Sequence, residues 1–135
     1  PRLASIPLCA AFLAGACCSP DSCADARDTI AALAPATKAI GAFHAKGGHA
    51  PETLEAAFPA GLPNGFQRAQ GGSPARYVVA LPGGGHRLVA YDPVPRDAQR
   101  GRQATMELSF SYRRPGFNIC SWSPRDPIWA CRGYY

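Results

Sequence analysis

At 135 residues and 47% apolar content, the chain has room for one domain with its own core, and its 14 Gly and 14 Pro forecast short elements joined by many turns. The net charge of +5 comes from 12 Arg against 2 Lys, scattered along the chain with no dense basic run. That pattern excludes the basic stripe of a nucleic-acid binder, so no nucleic-acid partner is expected.

Arg2 precedes an uncharged run, Leu3 to Ala16, that is short for a bilayer span but long enough for the apolar region of an export signal. Pro1 is no initiator, so a few further residues, Met among them, are expected upstream. Leu13-Ala-Gly-Ala-Cys17 resembles the lipobox of bacterial lipoproteins, with Ala14 where family members usually carry Leu. The resemblance implies that Cys17 is lipidated and becomes the mature N-terminus; simple cleavage and an uncleaved membrane anchor are the other two readings, all three being forms of export. Without residues 1–16 five cysteines remain, an odd number. If Cys17 carries lipid, Cys18 pairs with Cys23 and Cys120 with Cys131, and none is left over. A metal clip at Cys17-Cys-Ser-Pro-Asp-Ser-Cys23 lacks both zinc-type spacing and a nearby histidine.

From Pro20-Asp21-Ser22 onward, with Asp25 and Asp28 in the first turns, a helix is predicted. Ile30, Leu33, Thr37, Ile40 and His44 recur on one face at spacings of three and four. Pro35 kinks it or divides it in two, and Gly47-Gly48 ends it, the first glycine suiting a left-handed cap. Pro51 to Phe58 reads as a two-turn helix that buries Leu54 and Phe58.

The remainder alternates. Arg76 to Leu81 and His86 to Tyr91 are β-rich runs joined by Pro-Gly-Gly-Gly, a hairpin signal, and residues 92–103 form a polar loop. Met106, Leu108, Phe110 and Tyr112 alternate with Glu107, Ser109, Ser111 and Arg113 in a half-buried strand. Pro115-Gly116 then turns the chain into a last hairpin, Asn118 to Arg132. If Arg125-Asp126 is its tip, Trp122 faces Trp129 and Cys120 faces Cys131, so a disulfide staples the two strands and places the domain in an oxidising compartment. Its register against the preceding strand has two solutions. An even turn puts Cys120 and Trp122 beside Ser109 and Ser111; a bulged one puts them beside Phe110 and Tyr112. The size of a tryptophan favours the second. The expected fold is α+β: an N-terminal kinked helix plus a short second helix, packed on an antiparallel meander of about four to five strands.

A long N-terminal helix, then Ile40-Gly-Ala-Phe-His-Ala-Lys-Gly-Gly-His-Ala-Pro-Glu-Thr-Leu54, then a sheet closed by a C-terminal disulfide, resembles the globular part of type IV pilins and type II secretion pseudopilins. In that family the helix often ends in Gly, followed shortly by Tyr-Pro and a Leu, where this chain has Gly48-His49-Ala50-Pro51 and Leu54. Trp129-Ala-Cys131 is similar to the Trp-x-Cys that closes many pilin sheets. The likeness covers about residues 24–132. No Gly-Phe-Thr-Leu-Ile-Glu-like processing motif stands at the front, so the resemblance implies a pilin-like fold rather than a filament subunit. The domain plan is residues 1–16 as signal peptide or membrane-anchor segment, 17–24 as tether and 25–135 as a single pilin-like domain.

Candidate chemistry is sparse. His44 and His49 straddle a helix end near Lys46, where a helix dipole favours imidazolium. Ser109, Ser111, Ser121 and Ser123 sit in no nucleophile frame, and Gly83-Gly84-Gly85 lacks the Lys-Ser/Thr ending of a phosphate loop. Glu52 and Glu55 favour the positive end of the short helix. No catalytic residue, metal ligand or cofactor is therefore expected. The reading is a non-enzymatic, exported, membrane-anchored domain with a structural or interaction role at the periplasmic face of a bacterial envelope, its partner an envelope protein. Tyr112, Arg113, Arg114, Arg132, Tyr134 and Tyr135 are the candidate interface, since Arg and aromatic residues anchor interfaces. The alternative is a small periplasmic binding or inhibitor module using the 92–103 loop.

Overall fold

The computed structural model describes residues 20–93, 107–112 and 117–134. Helix α1 (Pro20–Ala32) and helix α2 (Ala34–Gly47) lead into a single 3-10 turn, Glu55–Ala57, and then into strands β1 (Phe66–Gln70), β2 (Ala75–Ala80), β3 (His86–Asp92), β4 (Glu107–Tyr112), β5 (Phe117–Ser123) and β6 (Asp126–Tyr134). The strands form one antiparallel sheet in the order β1-β2-β3-β4-β5-β6, a meander without crossovers. The architecture is α+β as expected, with six strands rather than four to five.

The two helices are nearly one. Thr29 O accepts the Leu33 N–H at 2.9 Å and Leu33 O accepts the Thr37 N–H at 3.0 Å, so hydrogen bonding runs through the junction. Pro35, in the first turn of α2, has no N–H to donate backward, and the break falls at Leu33. The buried stripe is Ala26, Thr29, Leu33, Ala36 and Ile40, at spacings of three and four. Leu33 and Ile40 are buried as expected, while Thr29 and Ala36 take the places expected of Ile30 and Thr37, because small Ala26, Thr29 and Ala36 let the helices sit close to the sheet while Ile30 packs at the margin. Buried Thr29 directs its hydroxyl back to Asp25 O at 2.9 Å, which satisfies it within the helix.

Gly48, not Gly47, takes the left-handed cap, with φ 74° and its N–H on His44 O at 2.8 Å. No atom lies within 4 Å of a Cβ built there. Gly48→Ala is therefore expected to cost about 1 kcal/mol from backbone strain alone, measured as a drop in the denaturation midpoint. An unchanged midpoint would show that the cap is not left-handed in solution.

The stretch from Pro51 to Phe58 is not a two-turn helix. Its bonds run from Ala56 N–H to Thr53 O, Ala57 N–H to Leu54 O and Phe58 N–H to Glu55 O, the tighter three-residue pattern. So short a segment cannot offset the cost of α-helix nucleation, and the sheet below sets its geometry instead.

One face of the sheet meets the helices. Ala75, Tyr77 and Val79 on β2, Val89 and Tyr91 on β3, Leu108, Phe110 and Tyr112 on β4, and Asn118, Cys120 and Trp122 on β5 are all buried. Pairing of Leu108 with Trp122, Phe110 with Cys120 and Tyr112 with Asn118 puts the cysteine and the tryptophan on the aromatic face, the second of the two expected solutions; the turn in which its bulge was expected lies outside the described residues. Cys120 and Cys131 pair directly and are disulfide-bonded. The Trp122–Trp129 cross-strand pair does not form. The turn residues are Pro124-Arg125, Ser123 opposes Asp126, and the register shifts between Ser121 and Ser123. β6 accommodates the extra residues at Pro127-Ile128-Trp129, where a proline without an N–H suits a break in the ladder. Trp129 instead tilts onto Phe110, with ring centroids 5.4 Å apart.

Candidate functional site

The densest polar cluster among the described residues joins the short turn to the sheet edge. Antiparallel pairing of Arg68 on β1 with Tyr77 on β2 sets their side chains next to each other on the inner face. The 3-10 turn carries Glu55 over them. Arg68 donates through Nε to Glu55 Oε2 at 2.6 Å and through Nη2 to Oε1 at 2.8 Å, a two-point clamp matched to the planar carboxylate. The same Nη2 donates to the Tyr77 hydroxyl at 2.9 Å, and the guanidinium carbon lies 5.1 Å from the tyrosine ring centroid. The Tyr77 hydroxyl also receives the Leu54 N–H at 3.3 Å and donates to Glu55 Oε1. One strand further in, the buried Tyr91 hydroxyl donates to Pro51 O. Two sheet tyrosines thus hold both ends of the 51–55 segment.

Titration follows from these contacts. The Arg68 hydrogen bonds, aided by Tyr77 and opposed by partial burial, hold Glu55 down at about 2. Arg68 is raised in turn, chiefly by Glu55. Burial and then Glu55 push Tyr77 up to about 12, and burial raises Tyr91. At neutral pH the carboxylate is ionised and both phenols are neutral, each group bonded to its neighbours. Together these contacts tie the short turn to the sheet edge as a strut.

Both side chains of the ion pair are more than a third exposed, at 35% and 38%. Glu55→Gln is therefore expected to lower stability at neutral pH by only about 1 kcal/mol, solvent screening the pair. The folded-state value lies below the ordinary 4.5, so this contribution is present above about pH 4.5 and fades as pH falls toward 2. Urea titrations of wild type and variant should converge on acidification; a gap that persists at about pH 2 would contradict the assignment.

Of the residues singled out in the sequence, Cys120 and Cys131 are brought together. Tyr112 does not present its ring to solvent: the alternation of β4 turns it inward with Leu108 and Phe110, 3% exposed, with Arg87 over its ring. Arg132 is exposed on β6, and Tyr134 closes that strand opposite Phe117. Cys23 lies on α1. Cys17, Cys18, Arg113, Arg114 and Tyr135 lie outside the described residues, as does the 92–103 loop beyond Pro93. His49 sets its ring edge-on to Phe43, 5.7 Å between centroids. Ser109 and Ser121 oppose each other on the outer face, and Ser123 Oγ receives the Arg125 N–H at 3.3 Å. Among the described residues no group of three or more His, Cys, Asp or Glu could hold a metal ion, and no helix is long and apolar enough to cross a membrane.

In comparisons with protein-family models, curated proteins and solved structures, nothing matches this chain.

Proposed function

We propose that the chain is an exported, membrane-anchored domain with a non-enzymatic structural or interaction role at a bacterial cell envelope, lipidated at Cys17 and facing the periplasm. The observation that carries this reading is the Cys120–Cys131 disulfide, buried at Cys120, since such staples persist in oxidising compartments. The apolar run before Cys17 supports export. With Cys17 lipidated, Cys18 and Cys23 remain to pair with each other, which accounts for every cysteine of the mature chain. The non-enzymatic part rests on the strut, whose polar groups bond to one another and titrate far from neutrality. A helix leading into a meander closed by a disulfide hairpin supports a pilin-like arrangement.

Fractionation of bacteria that produce the precursor tests the location. The chain is expected in the membrane fraction, digestible by protease added to spheroplasts, and released into the soluble periplasm by Cys17→Ser. Recovery in the cytosol with Cys120 reduced would overturn the proposal.

A further inference from the structure

Strand β6 forms one edge of the sheet: β5 flanks it on one side, and no strand among the described residues flanks it on the other. Along it Asp126, Pro127, Ile128, Ala130 and Arg132 are exposed, Ile128 to 70%, and from Ile128 onward the exposed residues alternate with the half-buried Trp129, Cys131 and Gly133. The Cα atoms of Cys120 and Cys131 are 4.0 Å apart, the close spacing of a non-hydrogen-bonded antiparallel pair. The N–H and C=O of Cys131 accordingly point away from β5, toward the open edge.

An open nine-residue strand is a template for another strand. The sequence of this one is complementary to itself. Laid antiparallel against a copy and centred on Trp129, Asp126 falls opposite Arg132 of the second copy, Ile128 opposite Ala130, Ala130 opposite Ile128 and Arg132 opposite Asp126. Acid meets base at both ends and apolar side chains meet in the middle, as an isologous two-fold contact requires. A slip of two residues in either direction removes the charge match. Pro127 offers no N–H to a partner, so the ladder is held by Trp129 and Cys131. The opposite edge lacks the charge match: β1 has five residues, contains no acid, and has its Arg68 tied to Glu55.

We propose that the chain forms a two-fold dimer in which β6 pairs antiparallel with β6 of a second copy, registered by reciprocal Asp126–Arg132 ion pairs. This goes beyond the envelope role and does not depend on where the chain is located.

Sedimentation of the full, oxidised chain over a range of concentrations tests it. Wild type is expected to show a monomer–dimer equilibrium. Asp126→Arg and Arg132→Asp are each expected to weaken dimerisation on the order of ten- to a hundredfold, since two attractive contacts become repulsive. The double variant Asp126→Arg/Arg132→Asp restores the charge match and is expected to recover wild-type association. Ile128→Lys, at the most exposed of these positions, is expected to shift the chain toward monomer without changing the melting midpoint measured at concentrations where wild type is itself monomeric. A wild type that stays monomeric throughout, single charge variants that dimerise as wild type does, or a double variant that fails to recover would each overturn the proposal.

Discussion

Trp122→Ala is expected to destabilise the domain by about 3–5 kcal/mol, while Ser121→Ala beside it should change stability by no more than about 0.5 kcal/mol. The two positions are adjacent on β5 but point to opposite faces. Trp122 is 6% exposed and opposes Leu108 within the buried aromatic row, whereas Ser121 lies between Ser109 and Ala130 on the outer face. Removing the indole leaves a cavity on the inner face of the sheet, which adds to the lost burial of a side chain worth roughly 150–250 Å². The pair of substitutions therefore measures register: a slip of one residue would exchange the two effects. Equal losses at both positions in chemical denaturation would contradict the pairing described above.

Cys120→Ser is expected to cost about 2–3 kcal/mol in oxidised protein, the loop-closure estimate for a bridge spanning 11 residues. Cys120 is fully buried, so the serine hydroxyl adds a desolvation cost in the same direction. Reducing the wild type should bring its midpoint toward that of the variant. Identical midpoints for oxidised wild type and Cys120→Ser would mean that the bridge does not constrain the unfolded chain.

The elements that were legible in the sequence are those with a strong local signal. Leu108, Phe110 and Tyr112 alternate cleanly, Pro-Gly-Gly-Gly marks the β2–β3 turn, and the match of Cys120 to Cys131 needed only the hairpin's symmetry. β1 was missed because Phe-Gln-Arg-Ala-Gln has no alternation to detect: four of its five residues face solvent at the sheet edge. Projecting that symmetry to the tip failed at Trp122–Trp129, where a Pro124-Arg125 turn and a shift in register intervene. On the helices Leu33 and Ile40 were legible, but Ala26, Thr29 and Ala36 were not, because large apolar side chains were weighted above the small ones that permit close approach.

The strut escaped for a related reason. Glu55 is 13 residues from Arg68 and 22 from Tyr77, so no local spacing links them. Only the register of the unrecognised strand β1 brings Arg68 beside Tyr77. A glutamate read as a partner for a helix dipole is in fact the upper half of a bidentate ion pair. Tyr112 shows the converse, a residue singled out beside Arg neighbours in sequence whose side chain the alternation of its strand turns inward.

The measurement that bears most directly on the envelope role is the intact mass of the protein recovered from native membranes without reduction. A diacylated species that begins at Cys17, two hydrogens lighter for each of the Cys18–Cys23 and Cys120–Cys131 bonds, is the predicted result. An unlipidated chain with Cys120 and Cys131 both carrying free thiols would contradict the account at its anchor and at its compartment together.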